Sequence, residues 1–295
     1  MQDHLVLAVS VGNQSRFLSR GPQLPDQPPM ALSWTADSAR TLLPALAALN
    51  LAAGWQEVRE ALRTWQMPSL NFLYADVDGN LAYFTSAEMP LRADLEAGAV
   101  EGLPPFFVRD GTLGLNNWIA DLTSAPDQAI PFEILPFEEM PQTVNPENDF
   151  FVNANNDPAG TTLDNNPLNQ LRPGGGIYYL SPGYAIGTRA GRITQAFEER
   201  LAAGPLSVED MQEIQADVIL LDAQVFTPLI TDAFRHAKSG SAHPALAALA
   251  ADPRVMEAVN RLHRWDYSTP TGVAEGYDAS DKDGMRAAPS MTEIE

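Results

Sequence analysis

The pattern of apolar and polar positions changes several times along the chain. Two short apolar segments, 5–9 and 30–35, are predicted to be strands on either side of a stretch rich in turn residues. Residues 38–65 are rich in Leu and Ala and predict two helices. Pro44 lies near one helix start, and Gly54 marks the break between the helices.

The part of the chain after Thr188 is predicted to be helical. Ser207 is a hydroxyl N-cap with acidic residues in the following turn, a pattern typical of a helix start. From Met211 to Val225 the apolar residues step by three and four, which predicts one amphipathic helix. Pro228 is expected to end or kink that helix, because proline has no N–H for the helical ladder.

A β-hairpin is the clearest local prediction. Apolar and aromatic residues at 72–75 and 81–84 flank a turn that contains Asp78 and Gly79. Residues 88–149 have little regular patterning and many prolines, which predicts a long ordered meander between strands. A further strand is predicted at 150–155, followed by a second turn-rich loop.

Asn153 and Asn155 lie on one face of that predicted strand, because side chains alternate along a strand. Asn is a poor strand residue, so two on one face call for an explanation. One interpretation is that Asn153 caps a turn and the following residues form a loop. The other is that an amide N–H donates to an oxyanion in a catalytic site.

Amino-acid composition and net charge argue against several classes of partner and of catalytic site. The 295 residues include 18 Lys and Arg against 38 Asp and Glu, a net charge of −20. Such a charge disfavours nucleic acids and anionic membranes as partners. The chain has no Cys, which excludes disulfides and a cysteine nucleophile. Neither an apolar run of membrane-spanning length nor a signal peptide is recognisable.

Several segments, in order, resemble the penicillin acylase (penicillin amidase) family of N-terminal-nucleophile hydrolases, which includes acyl-homoserine-lactone acylases. The resemblance covers roughly residues 5–267. The segments that carry it are 20–22, 71–84, 145–146, 151–158, 187–193 and 206–212.

The resemblance implies an α+β fold, part of a four-layer αββα sandwich in which helices at 38–65 and 190–265 flank antiparallel strands. It also implies that residues 1–295 form a single unit, an interior part of an acylase β-chain truncated at both ends. The spacing of a capping box at Ser290, close to the last residue, agrees with truncation at that end. Length alone had indicated about two domains.

Four site residues follow from the resemblance. Asn155 is expected to supply an oxyanion-hole donor, and Arg192 to help hold the site. Trp34 falls where the family has an aromatic residue of the acyl pocket, and Asp164 is a possible calcium ligand. A salt-bridged helix residue remains an alternative for Arg192, and a core residue for Trp34. The chemistry requires no cofactor, although a structural calcium ion is possible.

The family's nucleophile is a Ser freed by autoproteolysis, usually followed by Asn, with its own α-amino group as the base. The chain contains no Ser-Asn or Thr-Asn pair, so it is expected to be inactive alone. The expected partners are the missing N-terminal segment, the α-chain of the parent acylase and a small acyl amide substrate. The resemblance places the parent protein in the periplasm or outside the cell.

Three hypotheses follow from these observations. The first is a truncated acylase β-chain whose parent hydrolyses a linear amide bond in a penicillin or an acyl-homoserine lactone. The second is a degenerate family member that acts as a binding or interaction protein. The third, outside the family, is an acidic hydrolase that uses two carboxylates, as in glycoside cleavage. The first explains the motifs best.

Overall fold

The structure, a computed structural model, describes residues 5–11, 14–21, 30–32, 35, 39–98, 100, 104, 106–107, 128–129 and 132–269. The chain forms two compact units, Met1–Ala185 and Ile186–Glu295. Whether they form the single unit expected from the resemblance stays a prediction.

The first sheet of the first unit contains β1 (Leu5–Val11), β2 (Gln14–Gly21) and β3 (Met30–Leu32). The strand order is β2-β1-β3, with β1 antiparallel to β2 and parallel to β3. The two predicted strands are therefore confirmed at their positions. The strand β2 between them was not predicted.

Two helices follow, α1 (Leu42–Leu51) and α2 (Trp55–Arg63). Gly54 is the residue before α2 and has an extended backbone, which confirms it as the break. Thr41, before α1, ties the pair together because its hydroxyl donates to the carbonyl of Thr64 at 2.6 Å.

The predicted hairpin is confirmed as β4 (Leu70–Ala75) and β5 (Leu81–Ser86). Gly79 has a φ of 85°, a left-handed conformation that glycine adopts at little cost. A third strand, β6 (Gln142–Val144), pairs antiparallel with the other edge of β5.

One face of this second sheet packs against α1 and α2. Phe84 and Ala82 are fully buried against Leu62, and Trp65 meets Phe72 edge to face at 5.0 Å. Because side chains alternate along β5, Tyr83 lies on the opposite face. The core therefore leaves a second sheet face, which carries the cleft described below.

Where the structure describes it, the segment 88–149 is mostly irregular, as predicted. Its regular elements are α3 (Ala93–Glu96), β6 and a short 3-10 helix (Phe137–Glu139). The strand predicted at 150–155 is wrong, because those residues form irregular backbone and bends rather than a strand.

The second unit is helical, which confirms the prediction for the chain after Thr188. Its helices are α4 (Thr188–Leu201), α5 (Val208–Gln215), α6 (Leu221–Ala237), α7 (Pro244–Ala251) and α8 (Pro253–Arg264). Ser207 caps α5 in a capping box with Asp210, so this predicted start is also confirmed. Among the described helices, none has the length and apolar character needed to cross a membrane.

The single helix predicted through Met211–Val225 is wrong, because α5 ends at Gln215. Asp217 turns the chain by accepting the N–H of Ile219 on Oδ1 at 3.0 Å, and Leu220 donates to the carbonyl of Tyr267 at 2.9 Å. Pro228 lies inside α6, which continues to Ala237 rather than ending at the proline.

Helices and strands together confirm the α+β class. The four-layer sandwich stays a prediction, and the capping spacing at Ser290 lies outside the described residues.

Candidate functional site

The Asn-rich segment folds as consecutive side-chain turns. Asn153 Oδ1 accepts the N–H of Asn155 at 3.0 Å, and Asn156 Oδ1 accepts the N–H of Ala154 at 3.0 Å. These side chains satisfy backbone donors that a strand ladder would otherwise satisfy. Because this segment is not a strand, Asn153 and Asn155 do not share a strand face.

Asn155 itself has a φ of 60°, in the left-handed region where Asn is better tolerated than most residues. Its N–H donates to Oδ1 of Asn153, and its carbonyl accepts the N–H of Ala185 at 2.9 Å. The residue as a whole is exposed, while Ala154 before it is buried. The turns thus fix the backbone of Asn155 at the surface of the first unit; its oxyanion role stays a prediction.

Asp157 holds the loop that follows. Its carboxylate accepts the N–H groups of Ala159, Gly160 and Thr162 at 3.0, 2.8 and 2.6 Å. The hydroxyls of Thr161 and Thr162 also donate to it, at 3.2 and 2.8 Å. Burial by itself raises the pKa of Asp157, but these hydrogen bonds outweigh burial, so the pKa lies below its ordinary value.

A cleft of about 390 Å³ lies on the second face of the sheet, beside this segment. The lining residues are Tyr83, Pro141, Gln142, Thr143, Phe151, Val152, Pro158 and Ala159. The rings of Tyr83 and Phe151 are 5.8 Å apart and tilted by 43°. Burial raises the pKa of the Tyr83 phenol, so this group is neutral at physiological pH.

A second half-buried phenol, that of Tyr178, lies in the same unit. Burial, with the charges of Glu139 and Asp157, raises the pKa of Tyr178 to about 12. Its hydroxyl donates to the backbone carbonyl of Glu139 at 2.5 Å. Tyr178 is therefore neutral, and its hydroxyl stabilises the fold by donating to the backbone of Glu139.

Arg192, in α4 of the second unit, forms a forked ion pair with Asp217. Its Nε donates to Oδ1 at 3.1 Å and its Nη2 to Oδ2 at 2.6 Å, and both side chains are mostly buried. This hydrogen bond is the main cause that lowers the pKa of Asp217 and raises that of Arg192. Arg192 is thus a salt-bridged helix residue, the alternative left open above, and its role in a catalytic site stays a prediction.

Asp164 is exposed and caps a local turn. Its Oδ1 accepts the N–H of Asn166 at 3.0 Å, and the amide of Asn169 donates to Oδ2; the Asn169 bond contributes most to lowering the pKa of Asp164. In the part of the chain that the structure describes, no group of three or more His, Cys, Asp or Glu side chains could hold a metal ion. The described residues around Asp164 therefore do not form a carboxylate cluster for calcium.

Trp34, the predicted acyl-pocket residue, lies outside the described residues. Three features were missed from the sequence: the role of Asp157, the pairing of Asp217 with Arg192, and the facing of Tyr83 and Phe151. Only the first had a local signal, because Asp before Pro and a Gly-Thr-Thr run is typical of a side-chain turn. The other two join residues far apart in the chain.

The chain is similar to a known protein family. The model described as penicillin amidase matches residues 9–279, most of the chain. The matched range includes the Asn-rich turns, the cleft residues and Arg192.

Proposed function

The chain belongs to the penicillin amidase family, and we propose that it forms part of an enzyme that hydrolyses linear amide bonds. The substrates we propose are acylated amides such as penicillins or acyl-homoserine lactones. The family match over 9–279 carries the proposal. The turn that fixes the backbone of Asn155 at the surface supports it, because the backbone of an oxyanion donor must be held in place for its side chain to be positioned before the reaction.

In the proposed mechanism, a serine hydroxyl attacks the amide carbonyl and passes its proton to the serine's own α-amino group. The carbonyl oxygen becomes an oxyanion, to which the Asn155 side-chain amide donates a hydrogen bond. The C–N bond then breaks, and the amine leaves with the proton. Water hydrolyses the acyl-serine ester and regenerates the hydroxyl.

The serine is proposed to lie on a segment outside these 295 residues, since the chain has no Ser-Asn pair. That segment and an α-chain would be the protein partners, completing a four-layer sandwich with this chain as an interior part. Arg192, fixed by Asp217, is proposed to hold the site. A calcium ion at Asp164 and a periplasmic or extracellular location for the parent are proposals from the family alone.

A second candidate function is a non-catalytic family member that binds its ligand without hydrolysis. The missing Ser-Asn pair favours it. The two candidates differ in what the DNA upstream of this reading frame encodes: the acylase requires an in-frame Ser-Asn segment, and the binding protein does not.

The test of the acylase is expression of the reading frame extended upstream, with and without Asn155→Ala. Loss of one oxyanion donor is expected to lower kcat about 10²–10³-fold, with little change in KM. Asn260→Ala, an exposed change in α8, is the matched control and should leave kcat unaltered.

The purified 295-residue chain should hydrolyse no acyl amide. Turnover by that chain would refute the proposed location of the serine, and an unchanged kcat in Asn155→Ala would remove Asn155 from the site.

A further inference from the structure

We propose that Asn153 is a positioning residue for the proposed amide hydrolysis. Its side chain holds the backbone of Asn155 in the conformation from which the Asn155 amide donates to the oxyanion. In this role Asn153 touches neither the substrate nor the nucleophile and acts only through Asn155. The inference rests on the proposed function and adds a residue to its site.

The backbone of Asn155 has a conformation that needs support. Its φ of 60° lies in the left-handed region, which costs free energy for any residue with a side chain, although Asn tolerates it better than most. Residues 153–155 belong to neither a helix nor a strand, and Asn155 itself is exposed. The hydrogen bonds of a regular element therefore do not maintain this conformation, and local bonds take their place.

Two hydrogen bonds hold the two sides of the Asn155 backbone. Its N–H donates to Oδ1 of Asn153 at 3.0 Å, and its carbonyl accepts the N–H of Ala185 at 2.9 Å. The bond from Ala185 joins backbone groups, so a change of side chain at 185 leaves it in place. The bond to Asn153 is made by a side chain. Asn153 is thus the residue at which a substitution releases the N–H of Asn155.

The backbone conformation decides where the Asn155 side chain can reach. The backbone dihedrals set the direction of the bond from Cα to Cβ, so relaxation towards a negative φ would swing the side-chain amide away from its place. An oxyanion donor acts at about 2.7–3.1 Å from the developing charge, and a displacement of about 1 Å can cost about 100-fold in rate. Loss of Oδ1 of Asn153 should therefore weaken transition-state stabilisation while the donor itself is still present.

The first test compares two substitutions of Asn153 in the protein expressed from the upstream-extended reading frame. Asn153→Ala removes the acceptor and should lower kcat about tenfold with little change in KM, because only a transition-state contact is weakened. Asn153→Asp keeps an acceptor oxygen in the same place, as Asp forms the same side-chain turn, and should retain kcat within about threefold.

A double-mutant cycle separates positioning from a purely structural role. If Asn153 acts only through the Asn155 side chain, Asn153→Ala should lower kcat no further in the Asn155→Ala background. A residue that merely stabilises the fold would lower kcat by the same factor in both backgrounds. Far-UV circular dichroism checks the fold of each variant.

Asn166→Ala is the matched control, because Asn166 forms the same kind of turn elsewhere in the first unit. Its Oδ1 accepts the N–H of Leu168 at 3.2 Å, and the residue is exposed. This variant should leave kcat unaltered. In the 295-residue chain, where no nucleophile is needed, Asn153→Ala should accelerate hydrogen exchange of the Asn155 amide and shift its backbone carbon resonances towards those of a negative φ. Asn166→Ala should change neither.

Failure of the inference is distinguishable from failure of the proposed function. If Asn155→Ala lowers kcat and Asn153→Ala does not, or if the two losses simply add, the positioning role is overturned and the acylase stands. Unchanged exchange and resonances of Asn155 in Asn153→Ala would also overturn it. An extended protein that hydrolyses no acyl amide would refute the proposed function, and the catalytic role of Asn153 with it.

Discussion

The turns at Asp76 and Asp157 use the same chemistry in different surroundings. Asp76 Oδ1 accepts the N–H groups of Asp78 and Asn80 at 3.0 and 2.8 Å, in a hairpin whose strands pair on both sides. The carboxylate of Asp157 accepts three backbone N–H groups. In the described part of the chain, paired strands do not flank this loop. The paired strands of the hairpin and the core beneath them hold the Asp76 turn in place. The Asp157 loop is held largely by one carboxylate.

The difference matters for the candidate site. Asn155 and the cleft residue Pro158 belong to the segment that Asp157 ties down, so their positions depend on side-chain hydrogen bonds rather than on a packed strand. Binding sites are often built on such loops, held by a rigid scaffold. Here the scaffold is the second sheet and its core.

The largest expected effect is on the hairpin core. Phe84→Ala removes a fully buried ring and should lower the free energy of unfolding by about 3–5 kcal/mol. Urea unfolding measures this. Leu73→Ala, an exposed change on the neighbouring strand of the same hairpin, is the control and should have a small effect. A small loss in Phe84→Ala would mean that the core does not hold the hairpin.

Asp157→Ala should act on the loop. Loss of the carboxylate leaves several donors without an acceptor and should cost about 1–2 kcal/mol, less than the core change because water replaces part of the bonding. Amide hydrogen exchange of Ala159, Gly160 and Thr162 should accelerate, while that of β5 stays slow. Asp157→Asn retains an acceptor oxygen and should lose less; equal exchange in all three proteins would contradict the assigned role.

Gly79→Ala tests the hairpin turn through its backbone. A Cβ added at Gly79 would meet no atom within 4 Å, so the cost comes from the positive φ alone. We expect about 1 kcal/mol, measured by urea unfolding. Gly79→Asn should cost less, because Asn tolerates the left-handed conformation, and an equal loss in both variants would point to another cause.

The smallest expected effect is the pH dependence of stability. Hydrogen bonds, from the Asn80 side chain above all, lower the pKa of Asp76, and those from the loop outweigh burial and lower that of Asp157. A lowered folded-state pKa stabilises the protein above the unfolded-state pKa of about 4, and this contribution is lost as the pH falls through the folded-state value.

Thermal unfolding between pH 5 and pH 2 should therefore show falling stability, starting at about pH 4. Asp157→Asn should flatten the dependence by removing one titrating group, and Asp76→Asn should do so as well. A steeper dependence in either variant would show that the sign of the effect is wrong.

Local sequence predicted a structural feature correctly where the neighbouring residues determine the backbone conformation. The helix break at Gly54, the hairpin at Gly79 and the capping box at Ser207 are examples, because glycine conformation and side-chain caps act within a few residues. The strand at 150–155 and the long helix through Val225 were wrong. In both, an Asn or Asp side chain bonds a nearby N–H and replaces the regular ladder.

By itself, the sequence determined the α+β class, the two helices in 38–65, the helical character of the chain after Thr188, the hairpin and the resemblance to an amide hydrolase family. Only the tertiary structure decided that Asp217 forms an ion pair with the guanidinium of Arg192 and that the ring of Tyr83 lies against that of Phe151 in the cleft. The physical reason is the distance along the chain over which each interaction acts. Caps, turns and periodicity depend on neighbours in the chain, whereas an ion pair or a cleft wall depends on which distant residues packing brings together.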